Sequence, residues 1–314
     1  MTDARPLPLV ALRVLEACAR HRNFTRAAEE LGITPGAVTQ HIRTLEEWAG
    51  APLFIRSGRD FLLSEPLELA SGELSQAFQQ LNYAARLLRS PVRRNPVVSV
   101  SAPPSFAAKW LLPRLDGFRA IHTDVEIWVS ADLNLVDFGR GDVDLAIRYG
   151  SGSYPGVIAE KLFAENVLPV AAPAYLEEIG AIADPADLAR ARLLHDLDAE
   201  ASPFAPDWAM WFRIQSVDVP AVLDGPRYNQ SSMVIDEAVA GKGIALARTA
   251  IAAADLESGR LLPVMPHHAE LAHAYWLVWP QHRTLLPPAR AFATWLIGHA
   301  RDQPGDGPAE LSGS

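Results

Sequence analysis

The residues best suited to chemistry near the start of the chain form a short polar series with helical spacing. Gly36, Thr39, Gln40 and Arg43 recur every three or four residues, so they share one face of a helix. A glutamine amide can pair with two atoms of an adenine in the DNA major groove, and an arginine guanidinium can pair with guanine or with a phosphate. The series therefore predicts a surface that contacts double-stranded DNA.

Two short helices joined by a tight turn are expected to position this face. The first is predicted over residues 25–31, and Gly32 suits its end because glycine adopts positive φ at little cost. Thr34 can cap the second helix, and Pro35 fits a first turn that needs no N–H donor. This pattern predicts a helix-turn-helix. An ordinary helical hairpin with a solvated polar face is the alternative.

The sequence then shows a family resemblance. Residues 7–54, LPLVALRVLEACARHRNFTRAAEELGITPGAVTQHIRTLEEWAGAPLF, closely resemble the N-terminal domain of LysR-type transcriptional regulators. The likeness covers nearly the whole chain and is greatest to the branch of glycine-cleavage activators and β-lactamase regulators, as in SFAAKWLLPRL (105–115) and DLAIRYGSGSYPG (144–156). It implies a DNA-binding transcription regulator, with an N-terminal winged helix-turn-helix followed by a periplasmic-binding-protein-like effector domain of two α/β subdomains.

The DNA-binding residues are expected on three elements. The second helix supplies contacts to base edges and phosphates, and the start of the first helix anchors phosphates. The run 52–64 reads as two short strands around a turn, which the resemblance identifies as the wing. Its two arginines contact DNA or are merely solvated. The predicted DNA-binding residues are Thr25, Arg26, Thr34, Pro35, Gly36, Thr39, Gln40, Arg43, Arg56 and Arg59.

A heptad repeat follows the wing. Leu67, Leu74, Leu81 and Leu88 recur every seven residues, which is typical of a coiled-coil seam. A helix packed on its own domain would show the same period, and that alternative stays open. In the resembled family this is the linker helix that pairs antiparallel with its twin, so the resemblance implies a homodimer and, from it, a homotetramer.

Composition indicates a globular protein with an asymmetric charge. The net charge is −9, yet residues 1–95 carry 12 basic and 10 acidic residues, whereas the remainder carries 16 basic and 27 acidic ones. A slightly basic head on an acidic body fits a protein whose head alone meets phosphate. A single cysteine, Cys18, and the lack of a long apolar run predict a cytoplasmic protein that neither spans nor binds a membrane.

Beyond residue 96, strand-like and helix-like stretches alternate, which predicts βαβ units and a mainly parallel sheet. Two crossing strands are placed near 166–171 and 274–280. The predicted domains are a DNA-binding domain (1–65), a dimerising linker helix (66–90), an effector-binding domain (91–302) and a disordered tail (303–314).

A ligand in this fold is expected at the carboxyl ends of the strands, where the subdomains meet. Serines at two helix starts, together with one arginine, suit a small anionic or zwitterionic molecule such as an amino acid or a carboxylate. Alternatively, the serines only cap helices and the arginine lies on the surface. The candidate effector-binding residues are Ala102, Pro103, Ser105, Phe106, Ser130, Arg148, Tyr149, Phe204, Tyr228, Ser231 and Ser232.

An enzyme is not expected. The sequence has no G-x-S-x-G, Walker A or G-x-G-x-x-G motif, and the histidines at 267, 268 and 273 lack a second ligand set with metal-like spacing. We therefore predict no catalytic residue, no metal and no cofactor besides an unidentified effector. The expected partners are operator DNA, a second copy of the chain and, for an activator, RNA polymerase. The rival hypothesis is a DNA-binding protein whose C-terminal domain serves only oligomerisation.

Overall fold

The computed structural model describes residues 6–57, 60–89, 95–134, 136, 138, 142–197, 206–218, 224–266 and 268–301. The chain divides into two compact units. The N-terminal unit comprises mainly Met1–Pro91, and the C-terminal unit comprises Val92–Val136 and Asp142–Ser314.

The N-terminal unit is a helical domain with one hairpin, as the sequence predicts. The hairpin is antiparallel, with Phe54 opposite Leu63. Two helices begin directly after their capping residues. The Asn23 and Thr34 side chains each accept backbone N–H bonds at a helix start. The elements are α1 (Leu9–His21), α2 (Phe24–Leu31), α3 (Pro35–Ala49), β1 (Phe54–Ser57), β2 (Asp60–Leu63) and α4 (Glu65–Arg89).

An apolar core joins α1, α2, α3 and the start of α4. Val38, Ile42 and Leu45 of α3 are buried against α1, so the opposite face of α3 is left in solvent. Cys18 lies in this core, where burial raises the pKa of its thiol to about 12. It therefore packs as a small apolar side chain.

The leucines of the α4 heptad differ in exposure, and the prediction that all four form one dimer seam was wrong for Leu67. Leu67 is 1% exposed and belongs to the core of the N-terminal unit, and Leu74 packs against the same core. A side chain that is already buried within its own chain cannot contact a partner. Leu81 and Leu88 are 53% and 88% exposed, so only the later part of the repeat stays available.

One nine-stranded mixed sheet forms the centre of the C-terminal unit, in the order β4-β3-β5-β11-β6-β9-β7-β8, with β10 beside β6. Pairing is parallel within each half (β3 with β4 and β5, β7 with β8 and β9) and antiparallel wherever β6 or β11 takes part. The strands are β3 (Val97–Ala102), β4 (Glu126–Ala131), β5 (Leu145–Gly150), β6 (Val157–Ala171), β7 (Leu193–Asp196), β8 (Arg227–Tyr228), β9 (Ile244–Arg248), β10 (Leu262–Pro263) and β11 (Ala269–Pro280).

The two long strands β6 and β11 are the crossing strands, and the predicted crossovers lie within them. They connect a first subdomain, built around β3, β4 and β5, to a second built around β7, β8 and β9. Helices pack on both faces of the sheet. They are α5 (Pro104–Phe106), α6 (Leu115–Ile121), α7 (Pro173–Ile179), α8 (Trp208–Ile214), α9 (Ser231–Val239), α10 (Thr249–Glu257) and α11 (Pro287–Arg301).

The helical stretch that follows β3 is not continuous. A π-helical turn (Ala107–Leu111) and a 3-10 turn (Leu112–Arg114) separate α5 from α6. Pro113 explains the break, because proline has no N–H for the helical ladder and its ring clashes with the preceding turn.

Two glycines allow neighbouring backbone to approach β7 closely. The sequence suggests that Gly243 ends a helix, but α9 already ends at Val239, and Gly243 instead adopts a φ of 156° as the chain enters β9. A Cβ at Gly243 would meet the Arg192 carbonyl oxygen, and one at Gly225 would meet the Leu193 carbonyl oxygen. Glycine is required at both positions because neighbouring backbone approaches so closely.

Candidate functional site

The outer face of α3 carries the predicted DNA-binding residues, and all of those on this helix are exposed. Thr34 Oγ1 accepts the Ala37 N–H (3.2 Å), and Thr39 Oγ1 donates to the Pro35 carbonyl oxygen (3.1 Å). These bonds fix the first turn of α3 and leave the longer Gln40 and Arg43 side chains free to extend into solvent. The face is the series predicted from the sequence: Thr34, Pro35, Gly36, Thr39, Gln40 and Arg43.

The start of α2 lies exposed as well. Asn23 Oδ1 accepts from the backbone N–H groups of Thr25 (2.9 Å) and Arg26 (3.0 Å), and both of these residues are exposed. The Phe24 ring stacks on Phe61 of the hairpin at 4.5 Å between centroids, which fixes α2 against β2.

The tip of the hairpin is only partly described. Arg56 pairs with Phe61 through the backbone, but its side chain lies outside the described part of the structure, and so does all of Arg59. Their DNA contacts stay predictions.

A charged network ties together three helices of the N-terminal unit. The Arg20 guanidinium of α1 donates to Glu16 (2.9 Å) and to Glu30 of α2 (2.7 Å). The Ser75 hydroxyl of α4 donates to Glu16 at 3.2 Å. The bond to Arg20 is the main cause that lowers the pKa of Glu30 to about 2. The network therefore holds α4 and α2 to α1 outside the apolar core.

The C-terminal unit contains a cleft between its subdomains, with a cavity of about 220 Å³. Its lining comes from the ends of β5, β7 and β9 and from the starts of α5 and α9, which is where parallel strands of both halves end. Six of the predicted effector-binding residues line it. They are Pro103, Ser105, Phe106, Arg148, Tyr149 and Ser231.

Four other predicted residues do not line this cavity, and their part in effector binding stays a prediction. Ala102 is buried in the core of the first subdomain, and Ser130 is exposed on the edge strand β4. The Tyr228 hydroxyl donates to Glu237 at 2.9 Å instead of facing the cavity. The backbone N–H of Ser232 donates to Ser105 Oγ (2.9 Å), which joins the two cleft walls directly. Phe204 lies outside the described residues.

Arg148 lines the cavity but gives its donors mostly to the protein. Its guanidinium donates to the carbonyl oxygens of Ile147 (2.7 Å) and Asn134 (2.8 Å) and to Ser101 Oγ (3.0 Å). Burial lowers the pKa of Arg148, and these acceptors offset part of the desolvation cost. Arg148 therefore braces β5 against β3, a role that its position at a strand end did not reveal.

Sequence reasoning missed several lining residues, of which Asp196, Gln230, Arg248 and Tyr275 are polar. Asp196 ends β7 and Arg248 ends β9, so each satisfies the same strand-end rule that selected Arg148 and Tyr149. Applying that rule to every strand, rather than to the first three, would have found them. Arg248 also stacks over the Tyr149 ring, with its central carbon 4.9 Å from the ring centroid.

The described residues supply little for other chemistry. They contain no group of three or more histidine, cysteine or acidic side chains able to hold a metal ion. Among the described helices, none is long and apolar enough to cross a lipid bilayer. The observed features instead define a class: a regulator with a DNA-binding head of winged helix-turn-helix type and a ligand-binding α/β domain.

Comparison with known proteins identifies the family. Residues 9–66 match the model of the bacterial regulatory helix-turn-helix protein, lysR family, and residues 93–301 match the LysR substrate binding domain. The chain therefore belongs to the LysR family of transcriptional regulators.

Named relatives fall in the branch that the sequence indicates. The glycine cleavage system transcriptional activator of Escherichia coli K12 is 38% identical, over 93% of this chain and 94% of its own length. The transcriptional activator AmpR of Pseudomonas aeruginosa is 34% identical, over 93% and 95% of the two chains. These proteins are named as regulators, not as enzymes.

Solved structures agree with the fold. The effector domain of AmpR from Pseudomonas aeruginosa has a TM-score of 0.54 and 29% identity, covering 66% of this chain and 96% of that one. Full-length LysG from Corynebacterium glutamicum, solved with bound effector Arg, has a TM-score of 0.56 and covers 94% and 98% of the two chains. Its identity is 18%, so it supports the fold alone.

Proposed function

We propose that this LysR-type regulator reads its operator with the exposed face of α3. The observation that carries the proposal is the exposure of Gln40 and Arg43, which extend from a helix whose opposite face is packed into the core. Thr25 and Arg26 add phosphate contacts that set the register on the duplex. The wing arginines at 56 and 59 contribute further backbone contacts.

The functional unit is proposed to be a dimer formed through α4, and then a dimer of dimers. Leu81 and Leu88 support it, since both are exposed within a single chain and fall seven residues apart. Two heads would read half-sites in successive major grooves and roughly double the phosphate contacts of a modestly charged domain. As a DNA-binding regulator, the protein is proposed to act in the cytoplasm.

The effector is proposed to be a small molecule of amino-acid or carboxylate type, bound in the cleft between the subdomains. The cavity of about 220 Å³ supports this size, and the hydrogen bond from Ser232 N–H to Ser105 shows that the walls meet across it. A ligand that binds one wall arrangement better than another shifts the equilibrium between them and so alters the spacing of the heads. RNA polymerase is a further partner if the protein activates transcription.

A footprint on the DNA upstream of its own gene, with and without candidate amino acids and carboxylates, tests the proposal. A protected stretch of several helical turns that changes length with one compound is expected. The variant Arg43→Ala should lose most protection, whereas Arg13→Ala, which removes an exposed arginine from α1, should retain it. Protection that no compound alters would favour the rival in which the C-terminal domain only assembles oligomers.

A further inference from the structure

Arg248 ends β9 at the wall of the cleft and is held there by two contacts. Its guanidinium lies over the Tyr149 ring, and one terminal nitrogen donates to Ser231 Oγ at 2.6 Å. A guanidinium has five N–H donors in a planar fork. Ser231 is the only hydrogen-bond acceptor that the described residues provide to Arg248, so most of its donors stay available to the cavity.

The two cleft arginines therefore differ. Arg148 is 5% exposed and donates to three protein oxygens, which occupy its fork. Arg248 is oriented by a ring face, which fixes the plane of the guanidinium without using its N–H groups. A carboxylate that approaches in this plane can accept two parallel bonds.

Two acidic side chains lie near Arg248. Asp196 of β7 lies one hydroxyl away, since Ser231 Oγ donates to its Oδ2 at 2.5 Å. Glu165 of β6 is 1% exposed, and burial raises its pKa, although Thr249 Oγ1 and two backbone N–H groups donate to its carboxylate. Asp132 in turn lies near Arg148. The case for an anion at Arg248 therefore rests on the N–H groups that its guanidinium turns to the cavity.

We infer that Arg248 is the anion anchor of the cleft, and that the effector of this protein carries a carboxylate that accepts hydrogen bonds from N–H groups of a guanidinium oriented by Tyr149 and Ser231. This inference rests on the proposed effector role of the cleft. It assigns recognition to a residue that the sequence did not single out and gives Arg148 a structural task instead.

The test uses pairs of probes that differ only in the carboxylate. Acetate and acetamide, L-alanine and L-alaninamide, and succinate and succinamide are titrated into the full-length protein by calorimetry, in a buffer free of carboxylates. Arg248→Gln removes the fork, Arg248→Lys keeps the charge without it, and Arg192→Gln removes an exposed arginine from the same subdomain as a control. DNA binding without added compound and the melting temperature of each variant are measured in parallel.

At least one acid is expected to bind while its amide does not. Arg248→Gln should weaken that binding roughly 10- to 100-fold, as for loss of charge-assisted bonds, and Arg192→Gln should leave it unchanged. The affinity of Arg248→Lys for the acid should lie between those of Arg248→Gln and the wild-type protein, and this variant should still prefer the acid to the amide. It therefore tests the inference even if the glutamine variant does not fold. Equal binding of acid and amide, wild-type affinity in Arg248→Gln, or no binding of any acid would overturn it. If the wild-type protein does not bind DNA in the absence of added compound, that result would instead contradict the proposed function.

Discussion

The leucines of the α4 heptad are expected to respond differently to one substitution. Leu67 is 1% exposed in the core, so Leu67→Ala removes buried methyl groups and leaves a cavity. Such changes lower the free energy of unfolding by about 2–4 kcal/mol. Leu81 is 53% exposed, so Leu81→Ala should change the stability of its own chain by less than about 0.5 kcal/mol.

The dimer dissociation constant should respond in the opposite way, with a larger effect from Leu81→Ala than from Leu67→Ala. Burying the exposed half of Leu81 in a dimer stabilises it by about 1 kcal/mol per copy, so Leu81→Ala should raise the dimer dissociation constant roughly 30-fold. Leu69, which is 78% exposed and lies off the seam, provides the matched control. Sedimentation equilibrium of the full-length protein measures this constant directly.

Hydrogen exchange followed by mass spectrometry separates the two effects within the intact protein. Peptides from α1 to α3 should exchange roughly 30- to 700-fold faster in Leu67→Ala, because 1.4 kcal/mol corresponds to a factor of ten. The same peptides should be unchanged in Leu81→Ala. Unaltered exchange in Leu67→Ala would refute the assignment of this leucine to the core, and unaltered association in Leu81→Ala would refute the dimer seam.

Three further predictions concern polar contacts. Gln40→Ala should cost about 1–3 kcal/mol at one operator position without changing thermal stability, as measured by gel shifts on single-base operator variants. Lys109→Met removes one of two cations paired with the buried Asp255 and should lower the free energy of unfolding in urea by about 1–2 kcal/mol. Glu30→Gln removes a half-exposed carboxylate whose pKa Arg20 lowers to about 2, so it should cost less than about 1 kcal/mol in thermal melts above pH 4.5. The difference in stability between wild type and Glu30→Gln should vanish as the pH falls toward 2. Arg20 stabilises only the ionised carboxylate, which becomes protonated in this range.

Each of these three predictions has an outcome that would contradict it. Uniform weakening on every operator variant would make Gln40 a phosphate contact rather than a base contact. An unchanged urea midpoint in Lys109→Met would show that Asp255 is satisfied without it. A difference for Glu30→Gln that persists at low pH would have to come from packing, since the glutamic acid is then neutral.

The DNA-binding face could be predicted from the sequence because it depends on local information. A 3.6-residue period and the capping residues Asn23 and Thr34 decide which side of α3 is buried, and both are visible within about 25 residues. The heptad was harder to interpret. A seven-residue repeat is equally consistent with packing inside one chain and between two, so the division between Leu67 and Leu81 required the structure.

The effector cleft could be predicted only in part, because its residues meet through long-range pairing. Strand ends and helix starts selected Ser105, Ser231 and Arg148, all of which line the cavity. The strand order, however, decides which strand ends share a cavity, and Arg248 enters it because β9 pairs with both β6 and β7. Where an arginine directs its donors depends on acceptors that are distant in sequence, such as Ser101 for Arg148.

The glycines at 225 and 243 have a consequence for how this regulator tolerates mutation. Both press against β7, whose last residue, Asp196, bonds to Ser231 in the cleft. Any side chain at either position would displace that strand while leaving the head untouched. A genetic selection for variants that hold the operator but ignore the effector should therefore recover changes at Gly225 and Gly243, at positions that contact neither DNA nor ligand.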